Sequence, residues 1–457
     1  MAVETNSQAQ VDKLKLDLPR VLGLKDVIGI LIGCVIGSGI FIVPAEVATQ
    51  VPSPILMLGV WLVGGVASFF GALAFSELGA AYPAAGGMYV YLRESYGSLI
   101  AFLFGWSLFL VIDSGAIATL AVAFSSNYLT YFVAMSPWTQ KLVALLFIAV
   151  HVAINYVGVR WGALVQNILM VVKFGIILAI TLLVFIFAKG NTANFIRPEI
   201  GTFSPGMLSS FGVALVASLW AYKGWEAVTF SCGEIKRPER NLPLGLFVGT
   251  LLVLFCYLIT NMAYLYIAPT SQIAKSPTIA ADAMNQAIGP VGGSVIAFVI
   301  LFSIFGAAGA VVMTSPRVYF AMARDGLFFQ KIAAVHPKYL TPYISILTLG
   351  AWSAILSLSG TFNQLLTYVI FGQWIFFGLT VASVFILRRK RPDLPRPYKT
   401  WGYPITPLLF ILCALYISLN SLITQFQSAM AGLLVILVGI PAYLYWRAKL
   451  AKAAAAK

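Results

Sequence analysis

The sequence predicts an all-α polytopic membrane protein: twelve transmembrane helices in a five-plus-five inverted repeat, with discontinuous helices 1 and 6. Three observations point there. The 457 residues are 60% hydrophobic and only 10% charged, at a mean hydropathy of +0.92, far from the balance of water-soluble domains. Apolar runs of about 20 residues, enough to cross hydrocarbon, recur along the whole chain. Two of these runs are interrupted by residues that break helices.

Residues 1–23 are polar and read as a tail, with no cleavable signal peptide. Apolar runs follow at 24–48, 54–80, 97–130, 138–157 and 159–188, which make a first repeat over 24–188. Five more, at 208–232, 244–267, 291–323, 343–359 and 362–387, make a second over 208–387. An odd number of spans per half gives the halves opposite topology, and each half opens on an interrupted helix, the pattern of an inverted-repeat transporter. Spans at 405–424 and 429–446 lie outside the repeat, and 447–457 is a second tail.

An even number of spans puts both termini on one side, and the basic residues say which. Arg93, Arg160, Lys236, Arg237, Arg240, Arg317, Arg324, Lys331, Lys338, the run 388–399 and both tails share one side, against Lys141, Lys189, Arg197 and Lys275 on the other. By the positive-inside rule both termini are cytoplasmic. The formal charge of +14 is thereby explained by topology and anionic lipid, so the expected partner is the bilayer and not nucleic acid.

The first break is Gly33-Cys34-Val35-Ile36-Gly37-Ser38-Gly39, where glycine and serine are poor helix formers. In hydrocarbon, unwound backbone survives only where it lines a polar cavity or is covered by protein. A half-helix starting near Gly39 aims free N–H groups at an anion, while the last carbonyls of the preceding half face a cation. An amino acid zwitterion carries both charges. Small residues at this spacing also serve close helix packing, so the reading depends on a second break, Trp220-Ala221-Tyr222-Lys223-Gly224-Trp225-Glu226.

Ionisable residues within spans point to function by default. Asp113, Lys173, Lys223 and Glu226 qualify. Lys173 stands too far from either surface to snorkel, so its ammonium is expected on carbonyls of the broken first helix, as a structural tie or as a proton carrier. Asp113 needs an internal partner, either Lys173 or Lys223. Glu226 either pairs with Lys223 three residues away or serves as counter-ion to a substrate side chain. Glu46, Glu77 and Glu94 lie near span ends and read as solvated or interfacial, and Trp220 reads as a lid over substrate. Cys34, Cys232, Cys256 and Cys413 show no metal-ligand spacing, and no disulfide is expected. His151 and His336 are too few for a metal centre or a histidine relay. No cofactor is expected.

The two breaks, together with Tyr82-Pro83-Ala84-Ala85-Gly86-Gly87-Met88-Tyr89, Arg240-Asn241-Leu242-Pro243, Ala321-Met322-Ala323-Arg324-Asp325-Gly326 and Arg396-Pro397-Tyr398-Lys399, resemble the amino acid-polyamine-organocation (APC) transporter superfamily. Within it, the chain is similar to bacterial members of the L-amino acid transporter (LAT) family. The resemblance implies a LeuT-like fold with substrate between helices 1 and 6. It puts the substrate carboxylate on N–H groups of Gly37, Ser38 and Gly39, next to Ile40, and the α-amino group on carbonyls near Val35, Trp220 and Ala221. It makes Trp220 the gating aromatic, and sets Lys173, reached through the matching Val165-Gln166-Asn167, where sodium-coupled cousins bind an ion. Three positions depart from the pattern. Lys223 stands where relatives are small or acidic, Glu226 where asparagine is common in carriers of neutral substrates, and Asp113 where many eukaryotic members have arginine. The stretch 131–136 lacks the cysteine that joins animal light chains to a heavy chain, so no disulfide-linked heavy chain is expected.

These readings converge on a secondary carrier of L-amino acids in the plasma (bacterial inner) membrane, working as an exchanger or proton-coupled permease without sodium. The rival within transport is a carrier of cationic amino acids or polyamines, with Glu226 or Asp113 as counter-ion. A channel would need a repeated filter segment or charge rings, and neither is seen. An enzyme would need a catalytic dyad, and a nutrient sensor would bind without moving substrate.

Overall fold

The computed structural model describes residues 18–196, 205–276, 278–359, 362–424 and 426–455. Most of the predicted N-terminal tail, Arg197 and Lys457 lie outside them. The described residues are helical throughout, apart from loops and one isolated parallel bridge between Leu22 and Ile235.

The first span is broken as expected. Helix α1 (Leu24–Val35) starts where Asp26 Oδ2 accepts the Gly23 N–H at 2.7 Å. Helix α2 (Gly39–Gln50) continues it at a 45° bend. Helix α3 (Pro54–Ala81) returns across the bundle, and the short α4 (Met88–Tyr96) leads into α5 (Ser98–Ser107). A π-helical turn, Leu108–Ile112, then joins α5 to α6 (Asp113–Val122), and a second, Ala123–Tyr128, follows α6. Hydropathy periodicity carries no sign of such turns, which insert one residue into an otherwise regular helix. Here the insertion precedes Asp113 directly. Helices α7 (Pro137–Tyr156) and α8 (Val159–Phe187) follow.

Helix α9 (Pro205–Ala221) stops at the second break, and the chain resumes as a 3₁₀ segment, Ala227–Glu234. It continues through α10 (Pro238–Ile267), α11 (Thr270–Ile273), α12 (Ile279–Ile288), α13 (Val291–Thr314), α14 (Pro316–Arg324), α15 (Tyr343–Ser359) and α16 (Phe362–Lys390). Helices α17 (Ile405–Thr424) and α18 (Phe426–Ala455) close the chain. Among the described residues, eight helical stretches are long and apolar enough to cross a membrane, the bent α1–α2 pair makes a ninth, and α9 and α15 are shorter apolar helices.

Helix α1 sits at the centre, packed against α8, α10 and α13. Its glycines permit the close approach: a Cβ on Gly33 would lie 2.4 Å from Gln166 Oε1 of α8, and Asn167 Nδ2 donates to Asp26 Oδ1 at 2.6 Å. The small-residue packing role and the helix break are thus both present, in adjacent parts of one segment.

Two charges differ from the sequence reading. Glu77, expected to be solvated or interfacial, is 2% exposed. Arg388 grips both its oxygens at 2.9 and 2.7 Å, and the Thr400 N–H and hydroxyl both donate to Oε2 at 2.7 Å. Arg317, assigned to a cytoplasmic loop, is buried in α14. Its Nε donates to Glu234 Oε1 at 2.6 Å and its Nη2 to Glu234 Oε2 at 3.0 Å, while Nη1 donates to the Met313 carbonyl. A charge survives burial when it is paired and fully hydrogen-bonded. Glu46 is solvent-exposed, as expected, and Glu94 is half-buried beside Arg93.

Candidate functional site

The two breaks touch. A Cβ on Gly39 would fall 2.8 Å from the Ala221 Cβ and 2.9 Å from its Cα. Gly224 has φ +118°, and a Cβ there would meet Cys34 Cβ at 2.8 Å. Only glycine permits both the approach and, at 224, the backbone conformation.

Between the breaks lies a cavity of about 80 Å³. Val35, Gly37, Ser38 and Gly39 border it from the first break, and Trp220, Ala221, Lys223 and Glu226 from the second. Asp113 of α6 faces it, with Ala307 and Val311 of α13 opposite. Two residues named from the sequence stand apart from this lining. Ile40 is buried behind Gly39, its carbonyl accepting the Tyr264 hydroxyl at 3.4 Å. Lys173, 2% exposed, reaches the underside of the break, where Nζ donates to the carbonyls of Gly33 (3.2 Å) and Ile36 (2.8 Å).

The backbone offers an anion site. Gly37 uses its N–H on the Val35 carbonyl at 2.9 Å, so it differs from the expected donor role. The N–H groups of Ser38, Gly39 and Ile40 have no backbone acceptor among the described residues, and they head α2 where its dipole is positive. On the carbonyl side, the Tyr257 hydroxyl donates to both Val35 and Ala221 at 3.1 Å, bridging the breaks, and Ser303 donates to Ile36 and Gly37 at 3.1 Å. Sequence reasoning missed both side chains. A tyrosine and a serine inside apolar runs give no signal of their own.

The four span charges separate into distinct sets. Asp113 Oδ1 lies 3.5 Å from Lys223 Nζ, and its Oδ2 accepts the Ser315 hydroxyl at 2.6 Å. Lys223, not Lys173, is therefore the partner of Asp113. Glu226 does not pair with Lys223: its Oε2 accepts the Gly224 N–H at 3.0 Å and its Oε1 the Gln373 amide at 2.8 Å. Gln373, on α16 and 147 residues away, was also missed. The cavity thus presents a loose ion pair, a carboxylate held by two donors, and free N–H groups, which suits binding of a small zwitterion. Among the described residues, no group of three His, Cys, Asp or Glu side chains stands together as a metal site.

Residues 22–440 match the family described as "Amino acid permease". The chain is 32% identical over 432 residues to the human b(0,+)-type amino acid transporter 1, covering 92% of this chain and 86% of that protein. It is 32% identical over 431 residues to the serine/threonine exchanger SteT of Bacillus subtilis, covering 93% and 96% respectively. With the human cystine/glutamate transporter it shares 32% identity over 433 residues, 94% of this chain and 85% of that one. A broken, dipole-lined cavity at the centre of an all-helical membrane bundle, matched along nearly its full length to such relatives, assigns the chain to the amino acid permease family of the APC superfamily.

Proposed function

We propose that this protein is a secondary carrier of L-amino acids that works by alternating access, as a sodium-independent exchanger or a proton-coupled permease. The observation that supports it best is the pair of touching breaks around one cavity, with the Ser38, Gly39 and Ile40 N–H groups free. The substrate carboxylate binds those N–H groups, and its α-amino group binds the carbonyl edge at Val35, Trp220 and Ala221. Trp220 covers the bound substrate. Lys173 anchors the first break from below, which leaves no need for sodium there.

On this reading the repeats run over 24–188 and 208–387, the spans number twelve, helices 405–446 are peripheral, and both termini are cytoplasmic in the plasma membrane. The carrier works without a disulfide-linked heavy chain and performs no enzymatic reaction. A carrier of cationic substrates would require Asp113 to release Lys223, or Glu226 to release Gln373. With Asp113 paired to Lys223 and Glu226 held by the Gly224 N–H and the Gln373 amide, both cavity carboxylates are already engaged, which favours substrates with neutral side chains.

The test is uptake of labelled amino acids into proteoliposomes, preloaded or empty, with and without sodium and a pH gradient, competed by neutral, basic and acidic amino acids. Uptake that requires internal amino acid marks an exchanger, and accumulation in empty vesicles under a pH gradient marks a proton-coupled permease. Collapse of uptake without sodium would refute the proposed role of Lys173. Competition by basic compounds alone would refute the assignment of substrate class.

A further inference from the structure

His151 lies on the inner face of α7 and is 2% exposed. Its Nδ1 is 2.7 Å from the carbonyl of Phe147, one turn back, and its Nε2 is 2.8 Å from the carbonyl of Phe305 on α13. Both neighbours are acceptors. A neutral imidazole has one N–H, whereas the imidazolium has two. In either neutral tautomer one carbonyl therefore faces a nitrogen lone pair at hydrogen-bonding distance, and protonation turns that opposition into a second, charge-assisted bond. The ring is held in place by the rings of Phe147 and Phe305, whose centroids lie 4.4 and 4.2 Å from its own.

A proton has a way to act here. Beside the ring is a cavity of about 10 Å³, bordered by Asn155, Gln166 and Gly309, room for a single water. Gln166 is 2% exposed, and its Oε1 has no partner, while its Nε2 donates to the Gly306 carbonyl at 3.1 Å. Two consecutive carbonyls of α13, Phe305 and Gly306, are thus gripped by α7 through His151 and by α8 through Gln166. Lys173 lies against the same turn, since a Cβ on Gly306 would fall 2.7 Å from its Nζ. One turn away, Ser303 holds the first break.

The elements packed on α7 bring few titratable or charged groups: Arg160 and Lys173 on α8, Asp113 on α6, Tyr128 in the second π turn and Tyr343 on α15. Helix α13 brings none, and α7 itself carries Lys141 and Tyr156. None of these bonds the ring or borders its cavity.

We propose that His151 is a proton-binding site of the carrier, filled on acidification, and that its imidazolium locks α7 to α13 in the conformation described here. A lock on one of two alternating states depopulates the other, so acid slows exchange. This last consequence rests on the proposed transport function; the binding of the proton does not.

The chain has only two histidines, which allows a direct test. Full-length protein labelled with ¹⁵N-histidine, in lipid bilayers and carrying His336→Gln, gives one imidazole by nitrogen NMR. The expected spectrum shows one N–H nitrogen at about pH 8 and two at about pH 4.5, a range wide enough to hold an imidazole displaced from its ordinary value of about 6.5. A single N–H nitrogen across that range would overturn the proposal. In proteoliposomes, exchange should fall at least about tenfold between those pH values, the factor a charge-assisted hydrogen bond commands, and His151→Gln should flatten the profile. A variant that keeps the unmodified protein's pH profile would overturn the lock. Should no substrate be exchanged at all, the transport reading fails while the NMR result still judges the proton site.

Discussion

Replacing Gly39 with alanine tests whether contact between the two breaks sets substrate affinity. The added Cβ would stand 2.8 Å from Ala221 Cβ, 2.9 Å from Ala221 Cα and 3.5 Å from the Trp220 ring. Two of those atoms belong to the second break itself and cannot swing aside as a flexible side-chain tip would. Relief requires separating the breaks by several tenths of an ångström, and overpacking of this kind costs about 1–3 kcal/mol. Separating the breaks pulls the N–H groups that head α2 away from the carbonyl edge at Ala221, so substrate affinity should drop roughly 5–150-fold, the equivalent of that energy. Gly175→Ala on α8, away from the cavity, is the internal control, because its Cβ would meet nothing within 4 Å. Binding of labelled substrate to purified protein reads both variants, with thermal unfolding followed in parallel. Gly39→Ala protein that binds as tightly as the parent would refute the idea that these breaks are held at contact distance.

Further expectations follow from the charges. Arg317→Met leaves Glu234 buried at 0% exposure without its bidentate partner, which should destabilise the fold by about 3–5 kcal/mol; adding Glu234→Leu should recover most of the loss, as read by thermal inactivation of both variants. Lys223→Met leaves Asp113 with only the Ser315 hydroxyl, and competition assays should show basic amino acids gaining on neutral ones by about fivefold, as expected for loss of one nearby positive charge. Lys173→Ala removes the donor to the Gly33 and Ile36 carbonyls and should abolish exchange with or without a pH gradient. Preserved exchange with loss of gradient-driven accumulation alone would instead make Lys173 the proton carrier.

The secondary structure and the two breaks were legible in the sequence because both are local. Hydropathy over about 20 residues marks a membrane helix, and glycine with serine or lysine inside such a run marks an interruption whatever surrounds it. Lys173 was legible for a related reason: an ammonium at that depth must find acceptors, and the nearest unpaired carbonyls belong to the first break. The partners of the other charges were not legible. Arg317 and Glu234 are 83 residues apart, Arg388 and Glu77 are 311 apart, and Glu226 finds Gln373 across 147. Nothing in the local sequence distinguishes a glutamate at a wet helix end from one sealed beneath a distant loop, as Glu77 is by Thr400. The π turn before Asp113 was equally hidden, since one inserted residue leaves hydropathy unchanged while rotating every later side chain by a fraction of a turn. The sequence by itself determined which segments form long apolar helices and where two of the apolar runs are interrupted. Only the tertiary structure decided which charges meet, because pairing depends on how distant helices pack, and burial selects among partners that the chain order does not relate.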